Sequence, residues 1–387
     1  MKNLIFEQYK LNLHIISPVH IGCDEVYEPT NFVINEQKKK LIHFDPLDFV
    51  KILSSEDKNK FSQICMSDDL LEIFKFIKQK YNSNVNGREI DIAEGLIKHY
   101  NKVLVSKTFN KKEVINQFLI NRTVYNPNNN LPYIPGSSIK GALRTAYLTE
   151  LSLKNNLKNC WEKYLNERDM LTDKDSYYWI DRKDVSRKFE KDLLAGSFAT
   201  DPFRLVKVSD FLPTKDVQTK IFYAMNKKKK KSKYEARGPF QIFETIVHGS
   251  VFEGNITVFK PEKNAEIKRT IQLDSLLKSA HNLYYKLMQK EIKMLNTIDI
   301  NFRPTIKKGL PYDSFGKTTF IIRIGRHSGA EAVTIEGNRK IKIQQGNKPP
   351  KFLGESTTTW LTSSEVGNLS TNNTLLPFGW AILEELN

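Results

Sequence analysis

The segment with the most residues suited to binding a ligand is PGSSIKGALR, at residues 135–144. A helix is expected to begin here, because Ile139, Leu143 and Tyr147 fall on one side of a helical repeat. A helix N-terminus presents unpaired backbone N–H groups and the positive end of the helix dipole, and both favour a phosphate. The residues of this segment that are suited to contact a phosphate group are Gly136, Ser137, Ser138, Lys140, Gly141 and Arg144.

The spacing within this segment limits its chemistry. Lys140 and Arg144 are four residues apart and therefore share a helix face. The Gly-x-x-x-x-Gly-Lys pattern of a P-loop is absent from the segment, so nucleotide hydrolysis is not indicated. An ordinary serine-capped helix with two exposed cations explains the same residues and stays open as the alternative.

A second candidate segment is IGRHSGAE, at residues 324–331, directly after a predicted strand. Two glycines flank a basic pair there, and such a loop can lie closely against a sugar-phosphate backbone. A strand-end turn with solvated side chains is the alternative. The residues of this loop that are suited to contact such a backbone are Gly325, Arg326, His327, Ser328 and Gly329.

The third candidate is His20, in the segment SPVHIG at residues 17–22. An imidazole can act as a general acid or base near neutral pH. No other His, Lys or Tyr is tied to His20 by its spacing, and a structural histidine at a strand end is the simpler interpretation. The sequence therefore does not predict catalysis by His20.

Composition favours a polyanionic partner. The chain has 60 Lys and Arg against 44 Asp and Glu, a net charge of +16, and cations near phosphates release counterions. A compositional bias toward Lys, Asn and Ile produces the same balance without any such partner. Cys23, Cys65 and Cys160 lie far apart and are odd in number, so we expect a reducing cytoplasm, with no disulfide, metal or cofactor. The N-terminus resembles no signal peptide and no uncharged stretch is long enough to span a membrane, so no membrane partner is expected.

Strands and helices alternate along the chain. Hydrophobic periodicity predicts strands at residues 9–16, 31–35, 41–44, 204–211, 218–225, 240–248, 251–259, 318–324, 332–336 and 375–386. It predicts helices at residues 47–53, 70–81, 90–105, from 137 onward and at 273–295, and a mixed, helical or irregular segment at 154–191. The strands at 240–248 and 251–259 are expected to form a hairpin about Gly249, and the lysine run at 227–233 is expected to be a solvated loop.

This order predicts an α+β protein. Each half reads strand, helix, hairpin strands, helix, strand, which is typical of a ferredoxin-like (RRM-like, split βαβ) domain, here with helical insertions. The predicted domains are residues 1–213, which contain the helical insertion, and residues 214–387, which contain the glycine-rich loop. The halves show no obvious sequence repeat, so the duplication is inferred from the pattern alone.

Together these segments resemble the RAMP superfamily of CRISPR-associated proteins, and within it the fifth Csm subunit of type III-A effector complexes. The similarity is carried, in this order, by SPVHIG (17–22), IPGSSIKGALR (134–144), DPFR (201–204), VSD (208–210) and IGRHSGAE (324–331). The segment at 134–144 is the most specific of these.

The resemblance implies two ferredoxin-like domains and a non-catalytic, RNA-binding structural subunit. It also implies that the residues named above in the three candidate segments, His20 included, contact RNA. Such a subunit caps the crRNA 3′ end beside the repeating backbone subunit of the complex, and it is needed for crRNA 3′-end maturation and antiviral defence. The implied partners are the 3′ region of the crRNA, target RNA, other Csm subunits and host nucleases, all in the cytoplasm.

Two alternatives stay open. The first is a metal-independent CRISPR endoribonuclease that processes precursor crRNA, with His20 or His327 as the acid–base group. The related backbone subunit cuts target RNA with an aspartate in an early loop, and Asp24 lies in a comparable region here. The second alternative is a protein scaffold whose positive charge is only compositional.

Overall fold

The protein has an α+β architecture, which confirms the predicted mixture of helices and strands. The computed structural model describes residues 6–67, 69–105, 111–158, 182–233, 236, 238–304, 315–345, 348–366 and 375–386. The strands are β1 (Phe6–Ile15), β2 (Gly22–Tyr27), β3 (Phe32–Asn35), β4 (Lys40–Phe44), β5 (Gly87–Ile92), β6 (Ile120–Thr123), β7 (Val206–Val208), β8 (Leu212–Pro213), β9 (Thr219–Lys228), β10 (Gln241–Ile246), β11 (Val251–Phe259), β12 (Thr319–Arg323), β13 (Ile341–Gln345), β14 (Lys348–Leu353), β15 (Thr358–Ser363), β16 (Leu376–Pro377) and β17 (Trp380–Leu386). The helices are α1 (Pro46–Ile52), α2 (Ser55–Met66), α3 (Leu70–Lys80), α4 (Glu94–Leu104), α5 (Lys111–Phe118), α6 (Gly136–Lys154), α7 (Arg182–Leu194) and α8 (Leu273–Thr297).

The first sheet is antiparallel and combines strands from both ends of the chain. Its order is β12-β17-β1-β11-β7, and β8 also pairs with β11. Leu11, Leu13 and Ile15 of β1 are buried, because alternate side chains of a strand point to the same face. Helices α6 and α8 pack against each other and against this sheet. Every residue of β12 is buried, so packing fixes the strand that leads into the glycine-rich loop.

The second sheet has the order β2-β6-β10-β9-β5-β4-β3, and β15 pairs with both β9 and β16. A second apolar core covers this sheet and includes Phe49 of α1, Phe74 of α3 and Tyr100 of α4. Strands β13 and β14 form a separate two-stranded ribbon. Strand β2 begins close to His20, and strand β6 ends close to it. The second sheet therefore also supports the segment at residues 17–22.

Both large sheets contain strands from both sides of residue 213. In the first sheet β1 pairs with β11 and β17, and in the second sheet β6 pairs with β10. The division of the chain into residues 1–213 and 214–387 stays a prediction, and the two halves share both sheets.

The predicted hairpin about Gly249 is wrong. Strand β10 pairs with β9 and β6 of the second sheet, whereas β11 pairs with β1 of the first sheet. Gly249 has a φ of +88°, which glycine adopts readily, and its N–H donates to the carbonyl of Ile15. The turn therefore carries the chain from one sheet to the other instead of reversing it within one sheet.

Three other predicted elements differ from the structure. The helix at residues 90–105 starts only at Glu94, because Asp91 and Ile92 belong to β5 and pair with β9. The strand at residues 332–336 is wrong, since Ala330–Val333 is a 3-10 helix that follows Gly329 at a φ of +84°. The strand at residues 204–211 is shorter, comprising β7 after a 3-10 turn at Pro202–Arg204.

The lysine run at residues 227–233 makes more contacts with the protein than a solvated loop would. Strand β9 extends through Lys228, so the run begins inside the sheet. Lys229 lies 2.7 Å from Glu331, and Lys231 lies 2.8 Å from Asp299. These two cations are therefore tied to neighbouring parts of the protein.

Several predictions concern residues outside the described part of the chain. The mixed segment at residues 154–191 is described only through 158 and from 182 onward, where α7 begins. Cys23 and Cys65 carry free thiols, and Cys160 lies outside the described residues. Within the described ranges, no helix is both long and apolar enough to cross a membrane. In the same ranges, no group of three or more His, Cys, Asp or Glu side chains is placed to hold a metal ion.

Candidate nucleic-acid interface

Three segments that are far apart in the sequence meet in one surface groove of about 360 Å³. Its walls are the first turns of α6, residues 20–22 before and at the start of β2, and the loop that follows β12. We call this the RNA groove because it is lined by residues that the sequence predicts to contact RNA, namely His20, Ser137, Ser138, Gly141, Gly325, Arg326 and Ser328. Folding thus brings together residues from all three candidate segments.

Backbone contacts hold the glycine-rich loop against the segment that contains His20. Gly325 has a φ of +80°, and a Cβ atom at this position would lie only 2.6 Å from the carbonyl oxygen of His20. The N–H of Arg326 donates to that same oxygen at 2.9 Å, and the hydroxyl of Ser328 donates to the carbonyl of Gly325. Gly325 is therefore required for the close approach of two backbones, which fixes the groove's shape.

The N-terminus of α6 forms the opposite wall. Pro135 occupies the N-cap position, and the N–H of Gly136 donates to the Asp210 carboxylate at 2.8 Å. The serine-capped alternative is therefore wrong, because Ser137 and Ser138 lie in the first turn and line the groove. Gly136 itself is buried against β7 and does not line the groove. The positive end of the helix dipole and two hydroxyl groups can all interact favourably with an anion in the groove.

The two cations of α6 contact the protein instead of the groove. The ammonium group of Lys140 donates to the carbonyl of Val206 at 2.8 Å, and burial lowers the pKa of Lys140. The guanidinium group of Arg144 lies 3.0 Å from Glu190 and 2.8 Å from Asp201. These contacts join α6 to α7 and β7, and contact with RNA stays a prediction for both residues.

We expect the double change Lys140→Ala with Arg144→Ala to destabilise the protein. Loss of these charge-assisted contacts, discounted for partial exposure, is expected to lower the free energy of unfolding by about 1–3 kcal/mol. Urea denaturation measures this change. The matched control is Lys75→Ala with Lys278→Ala, whose exposed pairs within α3 and α8 are expected to contribute less than about 1 kcal/mol together. An unchanged stability with weakened RNA binding would instead favour direct phosphate contacts.

The glycine-rich loop divides into two parts. His327 has a φ of +63° and stacks on Trp360, with a ring-centroid distance of 4.5 Å. It does not line the RNA groove, and Gly329 lines a separate cavity of about 130 Å³ near Glu331. RNA contacts by His327 and Gly329 stay predictions, but the two residues lie apart from the groove.

Both candidate histidines are neutral at physiological pH. Burial lowers the pKa of His20 to about 4, with the charge of Arg326 acting in the same direction and a hydrogen bond to the Glu244 carbonyl opposing it. Burial, Arg326 and His20 together lower the pKa of His327 to about 4. At pH 7 only about one in a thousand such imidazoles is protonated, so neither is suited to act as a general acid.

A buried carboxylate that the sequence analysis missed supports His20. The side chain of Glu244 accepts hydrogen bonds from Tyr27 and Thr219 at 2.8 Å, from the Thr123 N–H at 3.2 Å, and from Tyr125. Burial and the Glu244 charge raise the pKa of both tyrosines. The carbonyl of Glu244 lies 2.8 Å from Nδ1 of His20, so this network also orients the imidazole. A carboxylate in the otherwise apolar pattern of β10 was the signal that could have revealed it.

Other groove residues were also missed. Thr145 follows Gly141 by one helical turn, so extending the helical periodicity would have found it. Tyr284 of α8 lines the groove, and its hydroxyl group donates to the carbonyl oxygens of Ala142 and Ala332, each at 3.1 Å. Its position depends on the packing of α8 against α6, which local sequence does not reveal.

Comparisons with known proteins agree with this arrangement. The profile of the RAMP superfamily matches residues 12–296. Over 212 residues the chain is 28% identical to "CRISPR system Cms protein Csm5" of Methanocaldococcus jannaschii, an alignment that covers 52% of this chain and 42% of the relative. The chain thus spans less than half of the length of that curated relative.

Two solved structures share the fold over nearly the whole chain. One is a chain in a cryo-EM structure of a Csm–crRNA–target RNA ternary complex of a type III-A CRISPR-Cas system, with a TM-score of 0.57, 18% identity and coverage of 97% of this chain and 100% of that one. The other is the crystal structure of T. onnurineus Csm5, with a TM-score of 0.52, 17% identity and coverage of 96% and 99%. The resemblance found in the sequence is confirmed at the level of the family, because the profile matches most of the chain: this protein belongs to the RAMP superfamily.

Proposed function

We propose that this chain is an RNA-binding structural subunit of a type III-A Csm complex. The observation that carries the proposal is the convergence of His20, the first turn of α6 and Arg326 in one groove. Its walls supply hydrogen-bond donors and positive potential without an evident acid–base pair. The similarity to Csm5 proteins supports the choice of this complex over other RNA-binding assemblies.

The position proposed within the complex is the 3′ end of the crRNA. There the chain would cap the assembly beside the repeating backbone subunit and support crRNA 3′-end maturation, with host nucleases performing the cleavage. The proposed partners are crRNA, target RNA and the other Csm subunits, in the cytoplasm. This placement rests on the resemblance of the segments at residues 17–22, 134–144 and 324–331 to the fifth Csm subunit.

The groove is suited to holding an RNA backbone. Ser137, Ser138 and the exposed guanidinium group of Arg326 can donate hydrogen bonds to phosphate oxygens. Contacts of this kind position a strand without reading its sequence. We therefore propose recognition by the shape and charge of the RNA backbone.

We also propose that the first sheet and its helices form a ferredoxin-like unit. The chain passes through β1, α6, β7, β11, α8 and β17, and the adjacent strands have the order β17-β1-β11-β7. This is a split βαβ arrangement, in which each helix connects two strands and both helices pack on the sheet. In this proposal the unit draws on both sides of residue 213.

The purified chain is expected to bind single-stranded RNA with little sequence preference. Affinity should fall as salt rises, with a logarithmic slope of about 0.7 for each phosphate neutralised. Fluorescence anisotropy with labelled RNA at several salt concentrations measures this slope. A failure to bind RNA, while the chain still assembles with Csm subunits, would favour the protein-scaffold alternative.

The endoribonuclease alternative requires a separate experiment. Labelled precursor crRNA and target RNA are incubated with the purified chain, with divalent metal and with chelator, and no cleavage is expected. Cleavage that is lost in His20→Ala, His327→Ala or Asp24→Ala would contradict the proposed function and establish catalysis by this chain.

A further inference from the structure

The imidazole of His20 has a defined hydrogen-bonding state. Its Nδ1 atom lies 2.8 Å from the backbone carbonyl oxygen of Glu244, which can only accept a hydrogen bond. Nδ1 must therefore carry the proton. Since burial keeps this ring neutral at physiological pH, Nε2 carries a lone pair and can only accept a hydrogen bond.

This acceptor has no protein partner in the described part of the chain. His20 is only 1% exposed, and its Nε2 atom is buried without a hydrogen bond to any described residue. A buried polar atom in this state is unfavourable until a donor reaches it. His20 nevertheless lines the RNA groove, so a ligand in the groove is the natural source of that donor.

Gly22 provides the route to Nε2. It is exposed, lines the same groove, and a Cβ atom built on it would lie 3.6 Å from Nε2. Any side chain at this position would therefore cover the acceptor. A glycine in a strand often marks a place where a ligand approaches the backbone closely.

The chemistry of the ligand follows from the groups in the groove. Phosphate oxygens of a nucleic acid accept hydrogen bonds, and they match the donors Ser137, Ser138 and Arg326. Phosphate oxygens cannot satisfy Nε2, because Nε2 needs a hydrogen-bond donor. That donor must lie close to the backbone of the bound strand. Within the sugar-phosphate backbone of RNA the one hydrogen-bond donor is the ribose 2′-hydroxyl, and DNA lacks it.

We propose that Nε2 of His20 accepts a hydrogen bond from a ribose 2′-hydroxyl of the bound strand, so that the RNA groove selects RNA over DNA. This inference rests on the proposed function, because it assumes that the groove holds a nucleic-acid backbone. His20 is then a specificity-determining residue. Its buried Nε2 must be uncovered by a local shift when the strand binds, and Gly22 leaves the space beside that atom free of a side chain.

The test is a scan with oligonucleotides. Each RNA contains a single 2′-deoxynucleotide at a different position, and its dissociation constant is measured by fluorescence anisotropy with the full chain. We expect one position, or one position for each bound register, at which the change weakens binding about five-fold, as expected for one net hydrogen bond.

Two variants should abolish this five-fold difference. Gly22→Ala places a methyl group over Nε2 at an ordinary contact distance and at a position with no positive φ, so folding is expected to be retained. His20→Phe removes the acceptor and keeps the ring. The matched control is Gly354→Ala, at an exposed position outside the groove where a Cβ atom meets nothing within 4 Å, and it should keep the ratio of the affinities for all-ribose RNA and for the singly deoxy-substituted RNA.

The possible outcomes separate the two claims. If the chain binds no RNA, the proposed function fails. If it binds RNA and single deoxynucleotides have no effect, or the effect persists in both Gly22→Ala and folded His20→Phe, the role of His20 is overturned. A dependence on the base instead of the sugar at the sensitive position overturns it as well, because the donor would then be a base amino group.

Discussion

Replacing Glu244 with alanine is expected to lower the free energy of unfolding by about 3–5 kcal/mol, because several buried hydrogen-bond donors lose the acceptor that they share. The carboxylate is fully buried, and its removal leaves Tyr27, Tyr125 and Thr219 without their common acceptor. Burial of unsatisfied polar groups is the reason for so large an effect. Urea denaturation followed by circular dichroism measures it.

The matched control is Glu253→Ala on β11. Its carboxylate is 40% exposed and lies 2.9 Å from Lys10, so its loss should change stability by less than about 1 kcal/mol. A similar small loss for Glu244→Ala would show that the network at Glu244 contributes little, and it would remove the argument that this network orients His20.

Stability is expected to fall as the pH is lowered from 7 to 5, by about 2 kcal/mol for the buried His20 and by about 1 kcal/mol for the partly exposed His43. Burial lowers the pKa of His20 to about 4, and burial with the charges of Arg88 and Arg122 lowers that of His43 to about 4. Because these values lie below the unfolded value of about 6.5, the unfolded state binds more protons between pH 6.5 and 4. Stabilisation is therefore complete above pH 6.5 and is lost as the pH falls toward 4.

The measurement is urea denaturation at pH 7, 6 and 5 for the wild type and for His43→Gln, which removes one titrating group outside the RNA groove. The variant should show a decline between pH 7 and pH 5 that is smaller by about 1 kcal/mol, because the partial exposure of His43 reduces the effect. Equal pH dependence in the two proteins would mean that His43 titrates with an ordinary pKa in the folded state.

The sequence predicted which segments form helices and strands better than it predicted which strands pair with each other. The amphipathic pattern of α8 and the start of α6 were read correctly, because helical periodicity depends only on nearby residues. The strands β10 and β11 were also predicted correctly, but their pairing was not. Two consecutive strands favour a hairpin, and only the competition between two sheets explains why β11 pairs with β1.

The candidate site was likewise predictable from local sequence only in part. Ser137, Arg326 and His20 were chosen for their chemistry, and the fold places them in one groove. Lys140 was chosen with them, but the direction of its side chain depends on β7, which is more than sixty residues away along the chain. The tautomer of His20 likewise depends on the carbonyl of Glu244, and local sequence carries no information about that contact.

The most direct test of the RNA groove is the RNA affinity of Arg326→Ala. The Arg326 side chain is exposed in the groove, whereas Arg303 is exposed but does not line it and serves as the matched control. Loss of a charge-assisted phosphate contact predicts about a ten-fold or larger increase in dissociation constant for Arg326→Ala, with a salt slope reduced by about 0.7. Arg303→Ala should remain within about two-fold of wild type, as for a distant surface charge. Equal losses in the two folded variants, or no loss in Arg326→Ala, would contradict RNA binding in this groove.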